Sequence, residues 1–111
     1  MSFNITSLSS FDKELKKLAK KYPSLKQDYA NLLDEIEVNP KLGTPIGRNC
    51  YKIRLSITSK GKGKSGGARV ITHLIVNIED STLYLLKIYD KGDQDNISEP
   101  ELRQLLASIN D

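Results

Sequence analysis

The segment Tyr51-Lys-Ile-Arg-Leu-Ser-Ile-Thr58 is where a regular β pattern first appears along the chain. Apolar side chains at positions 51, 53, 55 and 57 alternate with Lys52, Arg54, Ser56 and Thr58. Alternation with a period of two is typical of a strand that buries one face and exposes the other. The segment therefore predicts a strand with a cationic outer face, on which Lys52 and Arg54 point the same way.

Two more strands are predicted downstream, at residues 68–77 and 82–89, with the turn Glu79-Asp-Ser81 between them. Because the connections between these three strands are too short for parallel crossovers, we expect an antiparallel meander. The glycine-containing segments at residues 41–49 and 59–67 are interpreted as loops. The meander then supplies the sheet on which the rest of the chain packs.

Helical periodicity appears on both sides of this β region. Apolar residues that recur every three or four positions predict two helices joined by the turn Tyr22-Pro-Ser24, and Asn39-Pro40 ends the second. Ser98-x-x-Glu101 has the form of a capping box and begins a last helix. A short strand around residues 3–5 is expected at an edge of the sheet. The order β-α-α-β-β-β-α predicts an α+β fold with the helices on one side of an antiparallel sheet.

The amino-acid composition indicates a single folded domain without a membrane-spanning segment. The 111 residues contain 38% apolar and 28% charged side chains, which predicts one folded domain over residues 1–111. No apolar run approaches about 20 residues, so we expect no membrane-spanning segment. The N-terminus has no signal-peptide pattern, and the single cysteine, Cys50, cannot form an internal disulfide. A reduced, cytoplasmic compartment is therefore expected.

Positive charge is concentrated in the middle of the chain. Residues 39–77 hold no acidic side chain, whereas the rest of the chain holds nine basic and fourteen acidic ones. The basic residues of this block are Lys41, Arg48, Lys52, Arg54, Lys60, Lys62, Lys64 and Arg69. Such a block usually serves a polyanion such as a nucleic-acid backbone, and the plainer alternative is a solvated face that aids solubility.

Lys52 and Arg54 are the first candidates for a binding site. Two cations side by side on a strand repel each other unless an anion lies between them. Phosphate is the natural anion, because arginine binds it through a bidentate fork. Arg69, at the start of the next strand, can complete a cationic cluster. The alternative is an exposed strand whose charges favour solubility and protect an edge.

Other candidates are more weakly marked. Lys60, Lys62 and Lys64 lie among glycines, a combination that suits contact with a phosphate backbone but equally describes a hairpin tip without a ligand. Tyr89 and Lys91 follow the third strand of the meander and can meet a base and a phosphate, or belong to a plain turn. His73, the only histidine, lies mid-strand, where a packed residue is commoner than an acid or base.

Three motifs in the chain are Cys50-Tyr-Lys-Ile-Arg-Leu55, Lys62-Gly-Lys-Ser-Gly-Gly-Ala-Arg-Val-Ile71 and Leu85-Leu-Lys-Ile-Tyr-Asp-Lys91. Together they resemble the RelE/ParE superfamily of type II toxins. The glycine-lysine loop is most similar to the RelE-like branch often called HigB toxins. The resemblance covers nearly the whole chain. It implies a microbial RNase-like fold and, as in RelE-like members, cleavage of mRNA in the ribosomal A site.

The resemblance also implies roles for individual residues. Lys52 would act as the base, and Arg54 and Arg69 would hold the phosphorane. Lys91 is the nearest match to a basic residue that follows the last strand in the family. The general acid is left unassigned, with Lys91 and His73 as its candidates. No metal or other cofactor is implied. The candidates for RNA or ribosome contact are Arg48, Lys60, Lys62, Lys64 and Tyr89.

Three functions stay open from the sequence. The first is a ribosome-dependent mRNA endonuclease that a cognate antitoxin holds silent. The second is a ParE-like inhibitor of DNA gyrase, and the third is a nucleic-acid-binding module without catalysis. The acid-free block favours the first. The partners that the resemblance implies are the antitoxin and the ribosome with its mRNA, with operator DNA reached only through the antitoxin and no membrane.

Overall fold

A computed structural model describes residues 3–61 and 63–109, and within them five strands and four helices. A 3₁₀ turn, Thr58–Lys60, also precedes the one-turn helix α3. The presence of both helices and a β-sheet confirms the α+β class expected from the sequence. In chain order the elements are β1 (Asn4–Ser7), α1 (Ser9–Lys21), α2 (Leu25–Val38), β2 (Thr44–Gly47), β3 (Cys50–Leu55), α3 (Gly63–Gly66), β4 (Ala68–Val76), β5 (Ser81–Asp90) and α4 (Glu99–Ile109).

The strands form one sheet in the order β1-β5-β4-β3-β2. Strands β3, β4 and β5 are the antiparallel meander expected from their short connections. Strand β1 lies at an edge, as expected, but it runs parallel to β5, with Ile5 opposite Leu83. The sheet is therefore mixed rather than purely antiparallel.

One predicted loop contains a strand. Residues 44–47 pair with β3 in a hairpin whose two-residue turn is Arg48-Asn49. Both turn residues have positive φ, 56° and 59°, the conformation that a tight hairpin requires. The prediction of a continuous loop over residues 41–49 was wrong because Pro45 and Gly47 hide the alternation of so short a strand.

The other predicted loop, residues 59–67, also has local structure. Thr58–Lys60 forms the 3₁₀ turn and Gly63–Gly66 forms α3. Asp28 holds the turn in place, because its carboxylate accepts hydrogen bonds from the backbone N–H and the hydroxyl of Thr58, at 2.9 and 2.7 Å. This segment was expected to be irregular, and the carboxylate on α2 is what orders its beginning.

Apolar side chains cover both faces of the sheet. On one face α1 and α2 pack through Phe11, Leu18, Leu25, Leu32 and Ile36. On the other face Ile71, Leu86 and Tyr89 pack against Leu102 of α4. The expectation of helices on one side was therefore wrong, because β4 and β5 are apolar on both faces and the second face also needs a cover.

Gly67 sets the distance between β3 and β4 at their adjoining ends. A Cβ atom at this position would lie 2.1 Å from the carbonyl oxygen of Leu55, so no larger residue fits. The contact starts β4 beside the end of β3, with Ala68 opposite Leu55. The backbone N–H of Lys91 donates to the Gly67 carbonyl at 3.0 Å. Gly67 therefore links the three strand ends where the candidate residues lie.

Candidate functional site

Three candidate residues form a row across the sheet. Arg54 of β3 is directly opposite Arg69 of β4, and Arg69 is directly opposite Tyr89 of β5. Residues directly opposite on antiparallel strands have Cβ atoms about 4.5–5.5 Å apart and point to the same face. The structure therefore brings Arg54 and Arg69 together, as the sequence suggested.

A second row lies beside the first on the same face. Lys52 is opposite Ile71, and Ile71 is opposite Lys87. A register shift between Ile71 and Thr72 leaves Leu86 as the extra residue of β5, which brings Lys87 into line with Lys52. Lys91 follows β5 directly. We call this surface the cationic face, and its residues are Lys52, Arg54, Arg69, Lys87 and Lys91.

The two arginines of the cationic face differ in their surroundings. Arg54 is exposed, whereas Arg69 has only 5% of its surface open to solvent. One guanidinium nitrogen of Arg69, Nη1, donates to the carbonyl of Ala68 at 3.1 Å. A buried guanidinium held by the backbone is a rigid donor, and an exposed one beside it is free to close on a ligand. This arrangement suits the binding of an oxyanion such as phosphate.

A segment from the C-terminal part of the chain lies against these cations. We call residues 95–101 the acidic segment. The carboxylate of Asp95 accepts a hydrogen bond from Lys91, and this bond, with the charge of Arg69 nearby, lowers the pKa of Asp95. The contacts between the segment and basic side chains are Arg48 with Glu99 (2.8 Å), Lys52 with Asn96 (2.9 Å), Lys91 with Asp95 (2.5 Å), and Lys87 with Glu101.

Tyr89 is packed inside the protein. Only 4% of its surface is exposed, and its hydroxyl has no hydrogen-bond partner among the described residues. Burial raises the pKa of Tyr89, and the positive charge of Arg69 opposes that rise. The ring therefore offers no open face on which a base can stack in this arrangement. Its hydroxyl instead lies within the cationic face, among charged neighbours.

His73 occupies a third row, next to the buried thiol of Cys50. The two residues are cross-strand partners, and the Sγ atom lies 3.4 Å from Nδ1 of the imidazole. Burial lowers the pKa of His73 and raises that of Cys50 to about 11. At neutral pH the pair is therefore an uncharged imidazole beside a protonated thiol. This state is typical of a packed histidine.

Lys60 contacts a buried carboxylate instead of pointing away from the protein. Its Nζ lies 2.5 Å from Oδ1 of Asp90, and the hydroxyl of Tyr22 donates to Oδ2 at 2.5 Å. Burial by itself raises the pKa of Asp90, but the hydrogen bonds from Lys60, Tyr22 and the Gly92 N–H outweigh it and lower the pKa to about 2. Lys60 is thus part of a structural cluster in this arrangement.

The remaining lysines of the glycine-rich loop are only partly defined. Lys62 lies outside the described residues, and so does the side chain of Lys64. The backbone of Lys64 belongs to α3. Their suggested contact with RNA stays a prediction.

Lys87 and the acidic segment were missed by sequence reasoning. Lys87 carried a local signal, because positions 87, 89 and 91 alternate along β5 in the same way as 52 and 54 along β3. For the acidic segment the only local signal was the i,i+4 spacing of Lys91 and Asp95, because the contacts of Glu99 with Arg48 and of Asn96 with Lys52 join residues more than forty positions apart. No group of three His, Cys, Asp or Glu side chains within residues 3–61 and 63–109 is placed to hold a metal ion.

Comparison with solved structures identifies the fold. A double arginine-to-alanine mutant of the E. coli toxin RelE in the free state superposes with a TM-score of 0.62, at 18% identity, over 98% of this chain and 99% of that one. The isolated E. coli RelE toxin in its P21 crystal form matches with a TM-score of 0.50, also at 18% identity, over 97% and 99% of the two chains. The chain has the RelE fold. No protein-family model matches the sequence, and no helix within the described residues is long and apolar enough to cross a membrane.

Proposed function

We propose that this protein is the toxin of a type II toxin-antitoxin system, and that it cleaves translated mRNA in the ribosomal A site without a metal ion. The observation that carries the proposal is the cross-strand pair Arg54 and Arg69 with Lys52 and Lys87 in the next row. Cations on adjoining positions of one sheet face repel each other, and the phosphates of a bound polyanion relieve that repulsion. The RelE fold and the motif resemblance support RNA as that polyanion. The amino-acid sequence of the loop before β4 favours the HigB-type branch.

The proposed reaction is an internal transfer of the RNA phosphate. Lys52 in its neutral form removes the proton of the 2′-hydroxyl, whose oxygen then forms a bond to the adjacent phosphorus. The bond from phosphorus to the 5′-oxygen breaks, and that oxygen takes a proton from Lys91. The products are a 2′,3′-cyclic phosphate and a 5′-hydroxyl, so atoms and protons balance without a cofactor.

Arg54 and Arg69 have the electrostatic role in this proposal. The pentavalent phosphorane carries more negative charge than the starting phosphodiester, and donors that are already in position stabilise it without reorganisation. Arg69 is held by burial and by the Ala68 carbonyl, which suits this role. Loss of one such donor typically lowers the rate by about 10²–10³-fold. The ribosome would supply the positioning of the RNA strand.

Lys91 is the preferred acid over His73. Lys91 follows Tyr89 by two positions, and Tyr89 is directly opposite Arg69, so Lys91 lies at the end of the strand that carries the arginine's neighbour. His73 is two rows away, next to Cys50, and its lowered pKa favours the neutral imidazole, which lacks the acidic proton of imidazolium. An antitoxin would silence the protein, and operator DNA would be contacted only through that antitoxin.

The test is to add the purified protein to a translating cell-free extract and to map mRNA ends by primer extension. Lys52→Ala, Arg54→Ala and Arg69→Ala should abolish cuts at A-site codons. Lys17→Ala is the matched control, because Lys17 is an exposed lysine of α1, on the opposite side of the sheet. Intact mRNA with a wild-type protein that still arrests growth would contradict the proposal and lead to a gyrase supercoiling assay, which tests the ParE-like alternative.

A further inference from the structure

The acidic segment contacts basic side chains from four places in the fold. Its partners come from the β2–β3 turn, from β3, from β5 and from the residue that follows β5. We propose that residues 95–101 are a built-in competitor of RNA, which must separate from the cationic face before RNA phosphates bind there. The inference rests on the proposed function, since it takes RNA as the ligand of that face.

The chemistry of the contacts is the chemistry of phosphate binding. Carboxylate oxygens and phosphate oxygens are both charged acceptors for lysine and arginine, and a cation that is held by one has fewer donors left for the other. Asp95 pairs with Lys91, the proposed acid, and Glu101 pairs with Lys87, which lies in the same row as the proposed base. The amide oxygen of Asn96 accepts from Nζ of Lys52, the proposed base. RNA and the segment therefore compete for the same donors.

The segment is held weakly enough to be displaced. The side chain of Asp95 is 81% exposed and that of Glu99 is 55% exposed, whereas the pair of Lys87 and Glu101 is half-buried. Exposed ion pairs contribute little to stability and are screened by salt. Residues 95–98 form no helix or strand, and α4 begins only at Glu99. Ile97 and the buried Leu102 of α4 pack on the same apolar cluster and anchor the segment. Asp95 and Asn96 precede both residues and can separate from Lys91 and Lys52 while α4 stays packed, and Lys87 is released when the side chain of Glu101 turns away.

Arg54 is the point at which RNA can make its first contact. Arg54 is exposed, and within the described residues its guanidinium has no hydrogen bond or ion pair to the acidic segment. An RNA strand bound at Arg54 gains the full set of donors of Lys52 and Lys87 as Asn96 and Glu101 release them. Several phosphates acting together can then outweigh single carboxylates.

The test compares RNA binding by two variants with the same change in charge. Asp95→Asn/Glu101→Gln neutralises the competitor, and Glu79→Gln/Asp80→Asn removes two exposed charges from the β4–β5 turn, at the opposite end of β5 from Lys91. Binding of a short fluorescein-labelled single-stranded RNA is followed by anisotropy at low and at moderate salt. Circular dichroism melting verifies that each variant folds, and Asp95→Asn alone replaces the double variant if that one does not.

We expect the competitor variant to bind RNA roughly three- to thirty-fold more tightly than the control variant, as the loss of one exposed and one half-buried ion pair allows. Hydrogen exchange should also show that RNA speeds exchange of amides in residues 95–98 of the wild type. An equal gain in RNA affinity in both variants would overturn the proposed competition but not the proposed function. The same holds if neither variant gains affinity while Arg54→Ala still weakens RNA binding. If Lys52→Ala and Arg54→Ala leave RNA binding unchanged, the proposed function fails, and the competitor fails with it.

Discussion

Arg69 lies directly opposite Arg54 across the β3–β4 ladder, yet Arg69 is 5% exposed while Arg54 is open to solvent. Like charges at directly opposed positions destabilise a sheet. The positive charge of Arg69 helps to lower the pKa of Asp95. The carboxylate of Asp95 therefore offsets part of the repulsion between the two arginines. The pair therefore combines one fixed guanidinium with one accessible guanidinium at the same point of the sheet.

Arg54→Ala should separate binding from folding. Because the side chain is exposed, we expect the free energy of unfolding to change by less than about 0.5 kcal/mol. RNA binding should weaken, and the slope of log K against log salt should fall by about one, since one phosphate contact is lost. A salt titration followed by anisotropy measures both quantities. Arg54→Lys should keep the slope, and an unchanged slope in Arg54→Ala would argue against a phosphate contact.

Stability should fall in acid through Asp90. Its pKa is about 2 in the folded protein, below its ordinary value of 3.8. A lowered pKa means that the carboxylate stabilises the fold above about pH 4 and that this stabilisation is lost as the pH falls through about 2. The shift corresponds to about 2 kcal/mol. The lowered pKa of Asp28 acts in the same direction.

Urea denaturation from pH 6 to pH 2 measures this dependence. Tyr22→Phe is the matched variant, because it removes only the hydroxyl that donates to Asp90. It should raise the pKa of Asp90 and reduce the loss in acid. The same pH dependence in Asp90→Asn as in the wild type would show that another carboxylate is responsible.

Gly67→Ala should be the most damaging glycine substitution in the β3–β4 connection. The added methyl would lie 2.1 Å from the carbonyl oxygen of Leu55, so the backbone must shift and the unfolding free energy should fall by roughly 3 kcal/mol or more. Gly61→Ala is the control. Gly61 has φ of 73° but nothing within 4 Å, so only the left-handed backbone costs energy there, about 1 kcal/mol. Thermal melts of both variants test the order, and equal losses would contradict it.

Cys50 should be unreactive in the folded protein. The thiol is 1% exposed, and burial raises its pKa to about 11, so little thiolate is present at pH 8. We expect iodoacetamide to leave folded protein unmodified under conditions that alkylate the protein fully in urea. Intact-mass spectrometry gives the two rates. Similar rates in both states would show that the thiol is accessible.

Elements with their own periodicity were predictable from the sequence. Strand β4 spans Ala68–Val76 where residues 68–77 were expected, and α2 ends before Asn39-Pro40 as its residues indicate. In each case neighbouring residues carry the signal, because side chains at positions i and i+2 of a strand, or i and i+4 of a helix, share a face. Lys52 and Arg54 were placed on one face by the same rule.

Elements that depend on distant partners were not predictable in this way. Strand β2 exists because β3 offers it a ladder, although Pro45 and Gly47 oppose a strand locally. Helix α4 shows its own amphipathic pattern, but which sheet face it covers depends on Ile71 and Leu86, thirty-one and sixteen residues before Leu102. The spacing of apolar residues within one helix or strand holds no information about contacts with residues so far away in the sequence.

In the candidate site, too, some features follow from local spacing and others depend on distant residues. The spacing along β3 was enough to join Lys52 to Arg54, because the alternation of side chains is a property of the extended backbone. The pairing of Arg54 with Arg69 depends on the approach that Gly67 allows, and the alignment of Lys87 with Lys52 depends on the extra residue at Leu86. Register and the placement of the acidic segment follow from packing between distant parts of the chain, where the burial of both sheet faces determines which residues meet.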